Sequence, residues 1–358
     1  MTRTRAERGA PTIRDVATAA GVSNATAARA LGGYGAVSEE ARRRIDDAAA
    51  ALGYRTNSLA RSMITGATNT LGLIIADIEN PFFARATRGF TDAAREEGFE
   101  VVVTNTDEDV DTERTAVRLF MEKQVDGLVV APATQAMTEH LQAALDAGTP
   151  VVLLDRRVPG LAADSVLVDN RKASEAAVAH LTQHGHRRIA IVTGASLAEL
   201  EAGAARSGRH LLSTGKNRID GYLAALRRAG ITPQDEYIKV GDFHRDAAGG
   251  MTRELLALPI PPTAIFTTDG IISLGVVEAL QEHGLAMPEQ MSVVGFDDPE
   301  WALVVRPRLT VVAQPVYELG RRAAQRLIAR IRGDVARPRR HHLPTELIVR
   351  DSVTHWSG

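Results

Sequence analysis

The chain has 358 residues, 44% of them hydrophobic, with a formal net charge of −2 and no cysteine. That length allows two or three domains with sizeable cores, and the missing cysteine excludes disulfides, thiol nucleophiles and cysteine-based zinc sites together. No apolar run is long enough to span a bilayer, and the opening MTRTRAERGAPT lacks the apolar core of an export signal, so a cytoplasmic protein without membrane contact is expected.

The charge is divided unequally. Residues 1–66 hold ten Lys or Arg against six Asp or Glu, a surplus of +4, and the remainder carries −6. A basic end on an otherwise acidic chain points to nucleic acid at that end alone. There, Thr12 to Leu31 reads as two short helices across a tight turn. Ile13, Val16 and Ala17 share one helix face, Gly21 supplies the turn, and Ser23 caps a second helix that holds Ala27 and Leu31 inward. Asn24, Ala25, Ala28 and Arg29 are left outward. If the pair is a helix-turn-helix, its second helix enters the major groove and Asn24, Ala25 and Arg29 are the candidate base readers; two ordinary helices of a small bundle would show the same spacing. Val37-Ser38-Glu39-Glu40 then opens a third helix, with Ile45, Ala48, Ala49 and Leu52 as its inward stripe and Gly53 as its stop. A three-helix headpiece over residues 1–56 is expected.

Residues 57–69 follow as a polar linker with a helix-compatible stretch from Ser58 to Met63. From Leu71 on, short apolar runs alternate with helical segments: LGLIIADI, VVVTN, GLVVAPA, VVLLD, IAIVTG, AIFTTD, MSVVGFDD and LTVVAQP. Runs apolar on both faces suit parallel strands covered by helices. The fold class expected is therefore α/β, a two-lobed core of doubly wound parallel sheets behind a small all-α headpiece. One lobe is expected to comprise residues 70–168 and 315–340, the other 169–314 and 341–358.

Ligands of open α/β sheets bind at the C-terminal strand ends, which here carry Asp77, Asn80, Asp155, Arg156, Asp269, Asp297 and Gln314. Phe82 and Phe83 offer flat apolar surfaces to the C–H face of a sugar ring, and the polar set can donate and accept as vicinal hydroxyls require. A small polyhydroxylated effector fits. Each residue also has a plain structural role open to it: Asn80-Pro81 as a turn initiator, Asp297-Asp298-Pro299 as a strand exit, Asp155-Arg156 as an ion pair.

TIRDVATAAGVS, then VSEEARRRIDDAAAALGYRTNSLARS, then LGLIIADIENPFF resembles the lac repressor family of bacterial transcription regulators, in family order along nearly the whole chain. The resemblance implies base contacts from Asn24, Ala25 and Arg29, backbone contacts from Thr12 and Ser23 with Thr26 in the DNA-binding set, and a hinge helix containing Asn57, Leu59 and Ala60. In such a hinge Leu59 would wedge into the minor groove and bend the duplex; packing of Leu59 against its own headpiece is the alternative. The core resembles periplasmic sugar-binding proteins, their ribose-binding branch in particular, which adds Arg218 and Phe243 to the effector set. The departures are Ala28 for a frequent Ser, Gly32-Gly33 for Asn-Gly, Thr56 for Pro, and Thr268 for an Asn before Asp269. The segment 195–216 is longer than usual in the family and reads as a lid or an insertion.

The implied partners are double-stranded operator DNA, a small-molecule effector of sugar type and a second copy of the chain, with a tetramer also open. No cofactor, metal or catalysis is expected. His180, His184 and His186 read as surface or capping residues and His341-His342 as part of a solvated loop; no HExxH, GxSxG or phosphate-loop pattern occurs. The alternative functions are a solute-binding protein of a sugar transporter and a regulator responding to a nucleoside or purine. Whether the effector induces or corepresses is left open.

Overall fold

The structure, a computed structural model, describes residues 11–32, 35–54, 67–195 and 212–357. It comprises two units, one ending at Asn69 and one running from Thr70 to the C-terminus. The hinge residues Asn57, Leu59 and Ala60, most of the 195–216 segment, and Gly33 lie outside the described residues.

In the first unit, α1 (Ile13–Ala20) opens with a reciprocal cap: Thr12 Oγ1 accepts from the Asp15 N–H at 3.4 Å, and the Asp15 carboxylate accepts from the Thr12 N–H at 2.8 Å. α1 ends at Gly21, whose φ of 65° is the left-handed conformation glycine adopts without strain. α2 (Asn24–Gly32) follows, and α3 (Glu39–Leu52) is capped by Ser38 and closed by Gly53. Val16, Ala20, Ala30, Ile45 and Ala49 form the small core. Two inward positions differ from expectation. Ala30 takes the buried place assigned to Leu31, which is half-buried on the flank, and on α3 Ala41 is buried while Leu52 is 41% exposed. Alanines at the crossings let three short helices approach closely around Val16 and Ile45, so the two leucines move to the rim.

The second unit begins with β1 (Thr70–Ile75), α4 (Pro81–Glu96), β2 (Glu100–Asn105), α5 (Val110–Glu122), β3 (Gly127–Val130), α6 (Glu139–Asp146), β4 (Val151–Leu154) and β5 (Asp164–Val168). It continues with α7 (Asn170–Gln183), β6 (Ile189–Gly194), α8 (Ser213–Arg228), β7 (Ile238–Gly241), α9 (Arg245–Leu256), β8 (Ala264–Thr267), α10 (Gly270–Glu282), β9 (Ser292–Phe296), α11 (Trp301–Val304) and β10 (Thr310–Ala313). The chain then returns through α12 (Val316–Ile331), β11 (Arg340–Leu343) and β12 (Glu346–Ile348).

Two six-stranded sheets result, ordered β11-β5-β4-β3-β1-β2 and β12-β10-β9-β8-β6-β7. Every pairing is parallel except β10 with β12, an antiparallel edge. The chain passes between lobes at Asp169, at Gln314-Pro315 and at Pro344-Thr345. β11 pairs with β5 through Leu343, so the first lobe extends past the boundary expected at residue 340, and His341-His342 is strand and not solvated loop. β5, β7, β11 and β12 were not among the expected runs. Three of them are edge strands of three or four residues, and DSVLV of β5 begins with two polar residues that are buried here.

α4 is started by Asn80, which accepts from the Phe82 N–H at 3.0 Å, and by Pro81 in its first turn. Its inner face of Phe82, Phe83, Ala86, Phe90, Ala93 and Ala94 repeats at helical spacing. α12 lies against it so closely that a Cβ on Gly89 would fall 2.0 Å from the Tyr317 carbonyl oxygen, and one on Gly320 would fall 1.9 Å from that of Ala86. Among the described residues, no helix is long and apolar enough to cross a membrane.

Candidate functional site

On the headpiece, Ser23 Oγ accepts from the Thr26 N–H at 3.1 Å and lies 2.8 Å from Thr26 Oγ1, which fixes the first turn of α2. Asn24, Ala25 and Arg29 are exposed on that helix, as are Thr12 and Ser23; Thr26 and Ala28 are half-buried. The outward set expected from spacing therefore lies on one face of α2, with Ala27 and Ala30 on the other.

In the core, the expected effector residues converge from both lobes on the C-terminal ends of the strands. Asp155 and Asp297 hold equivalent places, one just past β4 and one just past β9, both with positive φ, 64° and 71°. In each the backbone N–H donates to the neighbouring strand at 2.9 Å, to Val166 O and Val312 O. Both residues thus hold a left-handed turn at the C-terminal end of a strand.

Arg218, buried on α8, donates through Nε to Asn170 Oδ1 at 2.8 Å and through Nη1 to Thr268 O at 2.5 Å, with its guanidinium 4.0 Å from the centre of the Phe296 ring. Thr268 Oγ1 donates to Thr193 Oγ1 at 2.8 Å, so the hydroxyl that stands in place of an amide is used within its own lobe. Asp269 caps α10 and also accepts from Asn80 Nδ2 at 3.2 Å, a contact between the lobes. Gln314 Nε2 donates to Asp297 Oδ1 at 2.6 Å. Phe82 and Phe83 pack edge to face, and the Arg156 guanidinium lies 5.8 Å from the Phe83 ring centre. Arg156 is buried and held by both carboxylate oxygens of Glu108 at 2.5 Å and by Pro132 O at 3.0 Å, so its main partner is Glu108 and not the adjacent Asp155. Phe243 crosses the end of β6 where only Gly194 leaves room, since a Cβ there would meet its ring at 2.3 Å. Asp77, half-buried at the mouth, accepts from the Glu79 N–H.

Spacing did not identify Asn170, Thr193, Glu108 or Phe296. They hold the expected residues and lie 48 to 75 positions from Arg218, Thr268 and Arg156, except Phe296, whose only sequence signal is its place beside Asp297.

Three carboxyls, of Asp155, Asp269 and Asp297, share this space. Burial, reinforced by the charge of Asp269, pushes Asp297 up to about 7, with Arg218 and the Gln314 amide opposing. Burial raises Asp155 as well, against the pull of Arg156 and Arg218. An unfolded Asp releases its proton near ~3.9, so ionising Asp297 costs the folded state stability as pH rises from about 4 through 7. Asp297→Asn lacks that cost and keeps an acceptor for Gln314. Relative to the parent it should melt higher at pH 8 than at pH 5, by about 1–3 kcal/mol of stability; equal melting differences at both pH values would show that Asp297 ionises normally.

Two buried acceptors remain unmet: Asp155 Oδ1 and Gln314 Oε1 have no hydrogen-bond partner among the described residues. Buried polar atoms are nearly always satisfied, so these two oxygens are open to donors from outside the chain. Among the described residues the histidines of the helix end give no competing site. His186 is buried between Thr263 and Thr354, and His184 Nδ1 contacts the carbonyl of His180, 2.8 Å away. No group of His, Asp or Glu among the described residues is arranged to hold a metal ion.

Residues 12–57 match the family of bacterial regulatory proteins of lacI type, and residues 178–353 match a periplasmic binding protein-like domain. The chain is 32% identical over 351 residues to the HTH-type transcriptional repressor CytR of Escherichia coli (strain K12), covering 98% of both chains. It belongs to the LacI family. It is 35% identical to the HTH-type transcriptional regulator PtxS of Pseudomonas aeruginosa over 353 residues, again 98% of each. Among solved structures, the transcriptional regulator CelR in complex with cellobiose superposes with a TM-score of 0.70 at 30% identity, covering 96% of this chain and 99% of that one. A LacI family regulator from Enterococcus faecium with bound ribose gives 0.69 at 26%, covering 80% and 100%. This LacI-family chain is therefore a ligand-responsive, DNA-binding transcriptional regulator with two parallel-sheet lobes behind a helix-turn-helix.

Proposed function

We propose that the chain represses from a palindromic operator as a homodimer, reading bases with Asn24, Ala25 and Arg29 and the DNA backbone with Thr12, Ser23 and Thr26. Its effector is a small polyhydroxylated molecule of sugar type, held between the lobes by Asn80, Phe82, Phe83, Asp155, Arg156, Arg218, Phe243, Thr268, Asp269, Asp297 and Gln314. The observation that carries the effector reading is the pair of unmet acceptors, Asp155 Oδ1 and Gln314 Oε1. Vicinal hydroxyls supply the donors such atoms need, and Phe82 and Phe83, though mostly packed into the core of their lobe, are the apolar side chains nearest for the C–H face of a ring. One headpiece offers too few base contacts for genome-scale selectivity, which favours paired copies on a twofold site.

Two measurements test these roles. Arg29→Ala should lose about 1–3 kcal/mol of discrimination at one base pair, read from binding to operator variants selected from a random pool; an unaltered sequence preference removes Arg29 from the readers. A melting-temperature screen of pentoses, hexoses and nucleosides should give stabilisation by a polyhydroxylated ring that vanishes in Asp297→Ala. Stabilisation that survives this change places the effector elsewhere.

A further inference from the structure

A cavity of about 240 Å³ opens on the side of the cleft where α7 and α8 begin, and its wall includes Asp155 and Asn170, the latter holding Arg218. Its remaining charged lining is mostly cationic. Arg157 from the β4–β5 connection, Arg171 from the first turn of α7 and Arg340 from β11 all face it, with His342 beside them. Among the described residues none of the three guanidinium groups forms an ion pair or a side-chain hydrogen bond, whereas Arg156, Arg326, Arg330 and Arg350 are each matched to a carboxylate.

The acids on the same wall are only two. Asp169 caps α7 by accepting from the Lys172 N–H at 3.0 Å, and Asp155 is shared with the cleft. Two helices of 14 and 16 residues start at this wall, which adds the positive ends of their dipoles. α8 has no side-chain cap: its Ser213 hydroxyl oxygen instead accepts from the Arg157 N–H at 3.2 Å. Three unpaired guanidinium groups around a recess with room for a phosphate or carboxylate are the chemistry of an oxyanion site.

We infer that this recess is an oxyanion pocket, and that the effector is bipolar: a hydroxylated ring in the carboxyl-lined cleft and a phosphate or carboxylate substituent reaching past Asp155 to Arg157, Arg171 and Arg340. The inference rests on the interlobe cleft being the effector site. The recess adjoins the carboxyls of the cleft and sets three arginines against two acids, which makes it the better place for an anionic substituent.

The test uses the full-length protein in buffer free of phosphate and sulfate, as the parent and as the double variant Arg171→Ala, Arg340→Ala. Both side chains are exposed and neither serves the core, so the variant folds. Melting shifts and calorimetry are read with inorganic phosphate and with matched pairs such as ribose and ribose 5-phosphate, or glucose and glucuronate. The expected result is that an anionic member of some pair binds at least about tenfold more tightly than its neutral partner, and that the double variant loses this preference while binding the neutral member as before. A parent and variant that respond alike to phosphate and to every pair overturn the pocket. A response to inorganic phosphate that needs the arginines, without preference for any anionic sugar, overturns the bipolar effector and leaves a site for a free anion. Asp297→Ala separates the underlying reading: if it leaves sugar binding intact the cleft assignment fails, whatever the arginines do.

Discussion

Arg218→Ala should abolish the effector response and destabilise the core lobes by about 3–5 kcal/mol, the cost of breaking a buried charged network by removing one member. The guanidinium is the hub of the cleft: it joins α8 to Asn170 of α7 and to the carbonyl of Thr268, and it covers the ring of Phe296. It also restrains the proton affinity of Asp297 and, together with Arg156, that of Asp155. Removing it raises both further, so the variant goes on losing stability at pH values where the parent, with Asp297 near 7, has already levelled off. Thermal melts of parent and variant should accordingly diverge more at pH 8 than at pH 5. Divergence of equal size at both would mean that Arg218 acts through packing alone. Operator binding at pH 6 should survive, because the headpiece is a separate unit with its own core.

The second large effect lies far from any ligand. Gly320→Ala should cost more than about 3 kcal/mol, because the added methyl would meet the Ala86 carbonyl at 1.9 Å, and backbone, unlike a side-chain end, cannot turn aside. Gly89 makes the reciprocal approach to Tyr317, so α4 and α12 must part along their whole crossing to admit either Cβ. Denaturant unfolding of Gly320→Ala should show a lower midpoint than that of Gly333→Ala, where a Cβ meets nothing although the positive φ of 97° adds strain. If the two variants unfold alike, the close helix crossing is not a stability determinant.

Much of the architecture was legible because it is written in local patterns. TIRDVATAAGVS carries its cap, its glycine turn and the next cap within twelve residues, and ENPFF and GFDD mark the strand exits where Asn80 and Asp297 stand. What local patterns could not show are relations at long range. Arg156 followed by chance of order after Asp155 looks like its ion-pair partner, yet its strong contacts are to Glu108, 48 positions away. β11 reads as RHHL among arginines and prolines because an edge strand has one wet side and no need of an apolar run. Leu31 and Leu52 were misplaced for a related reason: spacing identifies a helix face but not how near its neighbour stands, and Ala30 and Ala41 win where helices touch.

The three short passages between the lobes have a mechanical consequence. With links of one or two residues at Asp169, Gln314-Pro315 and Pro344-Thr345, the motion left cheapest to the lobes is a swivel about the line through the links. Gln314 is itself one of those links, and Asn170 directly follows another. A molecule gripping both therefore pulls at the axle of the swivel and not only at its jaws, so a small ligand has leverage over the angle between two bodies each many times its size.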